Sequence, residues 1–295
     1  MHKKIKVQTP AKVNLSLEIL DRLPNGFHSI SSVMQTISLY DYLTISKTEI
    51  TGENQIILRG NSPDIPYDEK NIIYKIIKLY FAELQIKGVK IEVDIEKNIP
   101  VEAGLAGGST NAAGALIAIN ALFNEILPME NIHKIAAKAG SDLNFCLEGG
   151  ACLLSSRGEI IDEKLPFHDF EVVIIKPKNI SVSTAMCYKN FSSNYFVKKD
   201  SVYSKKISEL FKNNNFSANQ LAKFLYNDLE KPAIDMHPEI LTIKNDLIKA
   251  GAINSLMSGS GSSVFGILGT NIKIQKSDNS VIFYANSVKN GAKIV

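Results

Sequence analysis

Between Val89 and Phe123 a strand pattern, a glycine-rich turn and an alanine-rich helix pattern follow in succession. That order constrains the fold more than any other feature of the chain. Val89, Ile91, Val93 and Ile95 alternate with Lys90, Glu92, Asp94 and Glu96, the period-two signature of a half-buried strand. The turn runs Pro100, Val101, Glu102, Ala103, Gly104, Leu105, Ala106, Gly107, Gly108, Ser109, Thr110. Glycines allow positive φ and close approach of the backbone to a ligand. Ser109 and Thr110 offer hydroxyls suited to an N-cap. From Asn111 to Phe123 the residues are mostly apolar and many are small, as in a helix that packs tightly on its neighbours.

A helix start presents free N–H groups and the positive end of a dipole to a preceding turn, which suits a phosphate. ATP is therefore the expected ligand. The alternative is a turn with only a structural role, and the flanking strand and helix favour phosphate. The turn is not a P-loop, because Gly108 stands where that motif needs Lys. Nor are the H-R-D and D-F-G signatures of protein kinases present. A second glycine turn, Ser258 to Ser263, lacks the third glycine of a dinucleotide fingerprint. The apolar run from Val264 to Leu268 follows it and predicts a strand, so a hairpin edging a ligand pocket is expected there.

The chain has 295 residues, 45% hydrophobic and 21% charged, and is long enough for two lobes. A net charge of +3 gives no basis for a nucleic-acid partner. Cys146, Cys152 and Cys187 form no disulfide framework and show no zinc spacing with the histidines, so reduced core cysteines in a cytoplasmic protein are expected. The N-terminus runs straight into a strand pattern without a signal peptide. The longest apolar stretch, Leu116 to Phe123, is far short of a membrane span.

Ile5 and Val7 begin a strand that Pro10 is expected to interrupt. A second run follows, with Val13, Leu15, Leu17 and Ile19 on one face and Lys12, Asn14, Ser16 and Glu18 on the other. Leu23 to Gly26 is a turn. Strands are predicted over Val33–Ile45, Ile56–Leu58, Gly149–Leu154, Glu159–Ile161, Val172–Ile175 and Ile253–Met257. Helical spacing covers Ile72 to Tyr80, Met129–Ala139, Val182–Tyr188, Val202–Lys212, Ala218–Tyr226 and Glu239–Lys249. A lobe boundary is expected near residue 160.

Three residues could carry chemistry. Lys12 lies in a strand regular enough to be buried, where a cation wants an anionic partner. A solvated edge lysine is the simpler alternative. Asp142 enters an apolar segment after a helix end, an uncomfortable place for a carboxylate, although Asp is also a common turn former. His28 follows Phe27 in a segment that could equally be a surface loop.

Five segments then stand in a recognisable order: Pro10 to Asn14, Asn25 to His28, Pro100 to Thr110, Gly140 to Asp142, and Ser258 to Ser263. Together they resemble the GHMP small-molecule kinases over nearly the whole chain. The resemblance implies an α+β, two-lobed fold with the site in the cleft between. A ribosomal-protein-S5-like ATP lobe would span residues 1–160 and a ferredoxin-like α/β lobe residues 161–295. Pro100 to Thr110 would wrap the ATP phosphates, with Mg²⁺ held mainly by phosphates and water and no protein metal ligand named. Asp142 would be the general base and Lys12 its cationic partner. Asn14 and Thr184 would contact substrate, His28 would bond a cytosine, and Phe27 and Tyr188 would stack on it. The acceptor implied is cytidyl-diphospho-methylerythritol, phosphorylated on its 2-hydroxyl in non-mevalonate isoprenoid precursor biosynthesis. Its protein would be a cytoplasmic monomer or weak homodimer, with no membrane or nucleic-acid partner.

Four residues depart from the family pattern: Phe27 for Tyr, Asn144 and Ser262 each for Pro, and Glu102 as an added charge expected to point outward. Rival readings are a related kinase acting on homoserine, mevalonate or a sugar, a non-catalytic binding protein, and an oxidoreductase. Phe27, His28 and Tyr188 argue against the first, since those substrates have no flat ring. Lys12 with Asp142 argues against the second, and the incomplete dinucleotide pattern against the third.

Overall fold

The structure, a computed structural model, describes residues 4–24, 26–269, 274 and 278–295. Asn25 of the expected turn lies outside the described residues. Two long strands, β1 (Lys4–Arg22) and β2 (His28–Glu49), pair antiparallel over most of their lengths. Then come β3 (Gln55–Gly60), helix α1 (Ile72–Leu84) and β4 (Val89–Glu96), which lies antiparallel to β2 and parallel to β3. Helices α2 (Gly107–Leu122), α3 (Met129–Ala139) and α4 (Leu143–Glu148) follow. The hairpin of β5 (Ala151–Ser155) and β6 (Ile160–Leu165) joins the first sheet through β2.

The second sheet starts with β7 (Glu171–Pro177). Next are α5 (Thr184–Asn194), α6 (Tyr203–Lys212), α7 (Ala218–Ala222), the short β8 (Tyr226–Asn227), α8 (Glu230–Met236) and α9 (Glu239–Lys249). Strands β9 (Asn254–Met257), β10 (Val264–Ile267) and β11 (Ser280–Asn286) complete this sheet in the order β11-β7-β10-β9, and β12 (Lys293–Ile294) returns to β1. The architecture is α+β with mixed pairing, as expected.

Three apolar clusters hold these layers together. The helices α1 to α4 cover the first sheet through Val7, Leu43, Ile45, Val93, Ile119 and their neighbours. α2 sits so close to β1 that a Cβ on Gly114 would lie 2.4 Å from Thr9 Cγ2, so the glycine permits the approach. Val13 and Leu15 pack with Val172, Ile174 and Phe265 between the sheets. Leu17 and Ile19 pack with Val173, Phe191 and Leu247 instead. The switch follows a register slip between Asn14 and Ser16, a bulge that re-aims the strand.

Two expectations need correction. Pro10 does not interrupt β1; the strand runs through it and the ladder slips, with Pro10 opposite Tyr40 and Ala11 opposite Ile37. The helix expected over Ala218–Tyr226 stops at Ala222, because Tyr226 and Asn227 pair in parallel with Ser16 and Leu17 of β1. Through β8 and β12 the C-terminal half is tied to the first sheet. The three cysteines are free and buried. Among the described residues no helix is long and apolar enough to cross a membrane.

Candidate active site

α2 begins earlier than its hydroxyl residues suggest. The N-cap is Ala106, in the left-handed region at φ 56°, and it makes no side-chain cap bond. The first helical bond runs from Thr110 N to the Ala106 carbonyl. Ser109 and Thr110 are therefore inside the first turn and not at the N-cap as expected. The N–H groups of Gly107, Gly108 and Ser109 precede the helical ladder and have no intrahelical acceptor. They adjoin a cavity of about 230 Å³ lined by the whole segment from Pro100 to Gly108 and by Ile65, Asn71 and Asn111.

The glycines of this loop differ in what demands them. Gly104 has φ 71°, and a Cβ there would lie 2.0 Å from the Ser258 carbonyl oxygen of the second glycine turn. Gly108 is exposed, and its added Cβ would meet only Ile72 Cγ2, at 3.7 Å. No neighbouring protein atom requires glycine at 108; a side chain there would have open space beside the loop. Beneath the loop Lys97 pairs with fully buried Asp41 at 2.7 Å. Asp41 also accepts the N–H groups of Asn98 and Ile99, at 2.6 and 2.7 Å, and so fixes the chain as it enters the loop. Nothing local in the sequence marked this pair, whose members lie far apart along the chain.

A larger cleft of about 1170 Å³ lies on the other side of the loop. Glu102, Gly104 and Ala106 line both cavities. Lys12, Asn14, Phe27, His28, Asp142, Thr184 and Tyr188 all line this cleft, as do Gly259, Ser260 and Gly261 of the β9–β10 hairpin. Lys12 is bound to the loop twice, its main-chain N–H to the Leu105 carbonyl at 3.1 Å and its Nζ to the Gly104 carbonyl at 2.9 Å. Lys12 Nζ also donates to Asn14 Oδ1 at 2.5 Å and stands 3.9 Å from Asp142 Oδ2. Burial lowers the Lys12 pKa, and the nearby Asp142 and Cys146 oppose that shift. Asp142 is the N-cap of α4; its side chain is 29% exposed against 5% for Lys12. Both groups line the cleft, the carboxylate more exposed than the ammonium.

At the far end His28 opens β2 and lies against Tyr188, ring centroids 5.3 Å apart and planes inclined by 29°. Its Nε2 meets Ser192 Oγ at 2.7 Å. Burial, and then the charge of Arg22, hold His28 below the usual imidazole pKa. Phe27 is 54% exposed, with the Arg157 guanidinium 5.1 Å from its ring centre. Thr184 Oγ1 bonds Ser260 Oγ at 2.7 Å, joining α5 to the second glycine turn. Arg157 and Lys189 also line the cleft and escaped the sequence reading. Their neighbours in the chain carry no motif.

The departures from the family pattern have structural partners. Glu102 does not point outward as expected: although exposed, it sits at φ 50°, lines both cavities and accepts a hydrogen bond from Ser181 Oγ across the cleft. Asn144 donates to the Glu159 carbonyl at 2.9 Å and faces His133 Nδ1 at 3.1 Å. Ser262 accepts from buried Lys176 at 2.8 Å and donates to the Ile180 carbonyl at 2.6 Å. Among the described residues no cluster of three or more His, Cys, Asp or Glu could hold a metal ion. Buried Thr110 Oγ1 has no oxygen or nitrogen partner, only the Cys146 thiol beside it.

Residues 71–150 match the GHMP kinases N terminal domain and residues 201–281 match GHMP kinases C terminal. A 4-diphosphocytidyl-2-C-methyl-D-erythritol kinase of Clostridium botulinum (strain Eklund 17B / Type B) is 37% identical over 273 residues, 92% of this chain and 94% of that protein. One of the same name from Syntrophomonas wolfei subsp. wolfei is 37% identical over 267 residues, 90% of each chain. A crystal structure of 4-(cytidine 5'-diphospho)-2C-methyl-D-erythritol kinase superposes with a TM-score of 0.75 at 25% identity, covering 96% of this chain and 99% of that one. Homoserine kinase from Cytophaga hutchinsonii gives a TM-score of 0.74 at 20% identity, covering 99% and 97%, which speaks for the fold alone. With both domains matched and relatives at this identity along almost its full length, the chain belongs to the GHMP kinases, in the 4-diphosphocytidyl-2-C-methyl-D-erythritol kinase family.

Proposed function

We propose that this protein transfers the γ-phosphoryl group of ATP to the 2-hydroxyl of 4-(cytidine 5'-diphospho)-2-C-methyl-D-erythritol. The observation that carries the reading is the approach of Lys12 to Asp142 where the cleft meets the glycine loop. Phosphoryl transfer asks for positioning and charge neutralisation more than covalent help. The segment from Pro100 to Thr110 would grip the triphosphate through the free N–H groups of α2. Asp142 would take the proton of the acceptor hydroxyl as the new P–O bond forms, with ADP leaving. Lys12 would neutralise charge beside it.

Asn14 and Thr184 would hold the acceptor, His28 would bond the cytosine edge, and Phe27 and Tyr188 would offer it ring faces. The Tyr188 face that meets His28 is taken by that imidazole, so a cytosine on that face would have to displace it. Mg²⁺, held mainly by phosphates and water, would add positive charge at the transferred group. We take the boundary between lobes to lie near residue 160.

The test is ADP release by purified protein with ATP, Mg²⁺ and the cytidyl substrate, set against mevalonate and homoserine. Turnover with the cytidyl substrate alone is expected. ADP release only with mevalonate or homoserine, or with none of the three, overturns the proposal.

A further inference from the structure

Lys12, Asn14, Ser16 and Glu18 lie two residues apart on β1, all buried, and two runs of hydrogen bonds, meeting at the carbonyl and the hydroxyl of Ser16, connect them. Lys12 Nζ donates to Asn14 Oδ1. Asn14 Nδ2 donates to Ser32 Oγ on β2 at 2.9 Å. Ser32 Oγ donates to the Ser16 carbonyl at 2.5 Å. The hydroxyls of Ser16 and Ser204 meet at 2.9 Å, and Ser204 Oγ donates to Glu18 Oε2 at 2.8 Å. Glu18 closes the second run at the start of α6, where it accepts the N–H groups of Val202, Tyr203 and Ser204.

The first run passes through the bulge between Asn14 and Ser16, where a ladder is locally disrupted. Side-chain hydroxyls supply bonds there. Ser16 Oγ accepts from Val33 N at 2.9 Å, and the Ser16 carbonyl takes the Ser32 proton. A serine hydroxyl has one proton to give, so Ser32 can meet Asn14 only as an acceptor. It must then face the amide nitrogen of Asn14, which turns Oδ1 toward Lys12. The reversed amide would set two donors against each other at a position closed to water.

We propose that Ser32 is a positioning residue: by fixing the Asn14 amide it keeps an oxygen on the Lys12 ammonium and so holds that cation charged beside Asp142. The other groups facing Lys12 are the Gly104 carbonyl from the loop, Asp142 and Cys146 from α4, and the Gly259 turn from the β9–β10 hairpin. Those groups remain when Ser32 is changed, so its loss has a graded effect. The inference rests on the catalytic reading above for its functional meaning, but its test needs no turnover.

The test follows the Lys12 Cε resonance through a pH titration in protein labelled with ¹³C-lysine, assigned with a Lys12→Arg variant. In Ser32→Ala, Lys12 is expected to lose its proton at lower pH than in the parent. Ser32→Thr keeps a hydroxyl and is expected to titrate as the parent does. Ser32 is fully buried and the added methyl must find space there, so a second comparison uses Asn14→Asp. A carboxylate offers oxygen whichever way it turns, so Ser32→Ala is expected to leave the Lys12 titration unmoved in that background. An unchanged titration in Ser32→Ala alone, or an equal displacement with and without Asn14→Asp, overturns the proposal. Failure to phosphorylate the cytidyl substrate would instead count against the functional reading and leave this result standing.

Discussion

Lys12 Nζ and Asp142 Oδ2 stand 3.9 Å apart, although one side chain comes from the first strand and the other from the cap of a short helix. That is an ion pair without a direct hydrogen bond, since N–H···O contacts close at about 2.7–3.2 Å. Lys12 spends its short contacts on Asn14 and Gly104. Asp142 is thereby left with an open face on the cleft and a cation beside it.

Asp142→Asn should keep ATP binding and lose turnover by roughly two to four orders of magnitude, the usual worth of a general base. Asn keeps the shape and removes the proton acceptor. Single-turnover kinetics with nucleotide affinity measured alongside would check this, and near-normal turnover would remove Asp142 from the role proposed for it.

His28→Ala should raise KM for the cytidyl substrate far more than KM for ATP. His28 lies at the far end of the large cleft, stacked on Tyr188 and bonded to Ser192, away from the small cavity of the glycine loop. Steady-state kinetics with each substrate varied in turn would read the split. Equal increases in both constants would contradict a cytosine contact.

What could be read in advance from the sequence depended on how local its cause is. The alternation from Val89 to Glu96 and the spacing of Met129–Ala139 appear as β4 and α3 with those bounds, because each pattern reports its own burial. The start of α2 was misplaced because Ala106 adopts a left-handed φ that its side chain does not advertise. Tyr226 looked helical and became a strand residue because its partner, Ser16, lies far back in the chain. The same reason hid the Asp41–Lys97 pair and the partners of Glu18. Lys12 was suspicious for the regularity of its strand; that it meets Asp142 is a fact of tertiary packing.

Gly108→Ala should separate binding from folding. The residue is in the first turn of α2 without a positive φ, and its added Cβ would meet only Ile72 Cγ2 at 3.7 Å. Replacing glycine by alanine in a helix is neutral or stabilising by up to about 1 kcal/mol. If a phosphate occupies the open side, the methyl intrudes on it at a cost of roughly 1–3 kcal/mol, near tenfold or more in affinity. Thermal unfolding should be unchanged or slightly raised while KM for ATP climbs. An unaltered ATP constant would mean that the space beside residue 108 is not used by nucleotide.

Glu18 should make the fold sensitive to acid. Burial by itself pushes this carboxyl up, but the main-chain N–H groups of Ser204, Val202 and Tyr203 and the Ser204 hydroxyl outweigh it, and the net shift is downward from 4.5. A carboxyl with a depressed folded pKa contributes stability above its unfolded pKa and loses it as pH falls through the folded one. Hydrogen bonds to a charged group are worth roughly 1.5–3 kcal/mol each, and Gln keeps the shape without the charge. Glu18→Gln should therefore lower the urea midpoint at pH 7. The gap to the parent should narrow as pH drops below 4.5 and vanish well beneath the folded value, where both side chains are neutral. A gap of constant size across that range would mean that the charge of Glu18 does not hold α6 to β1.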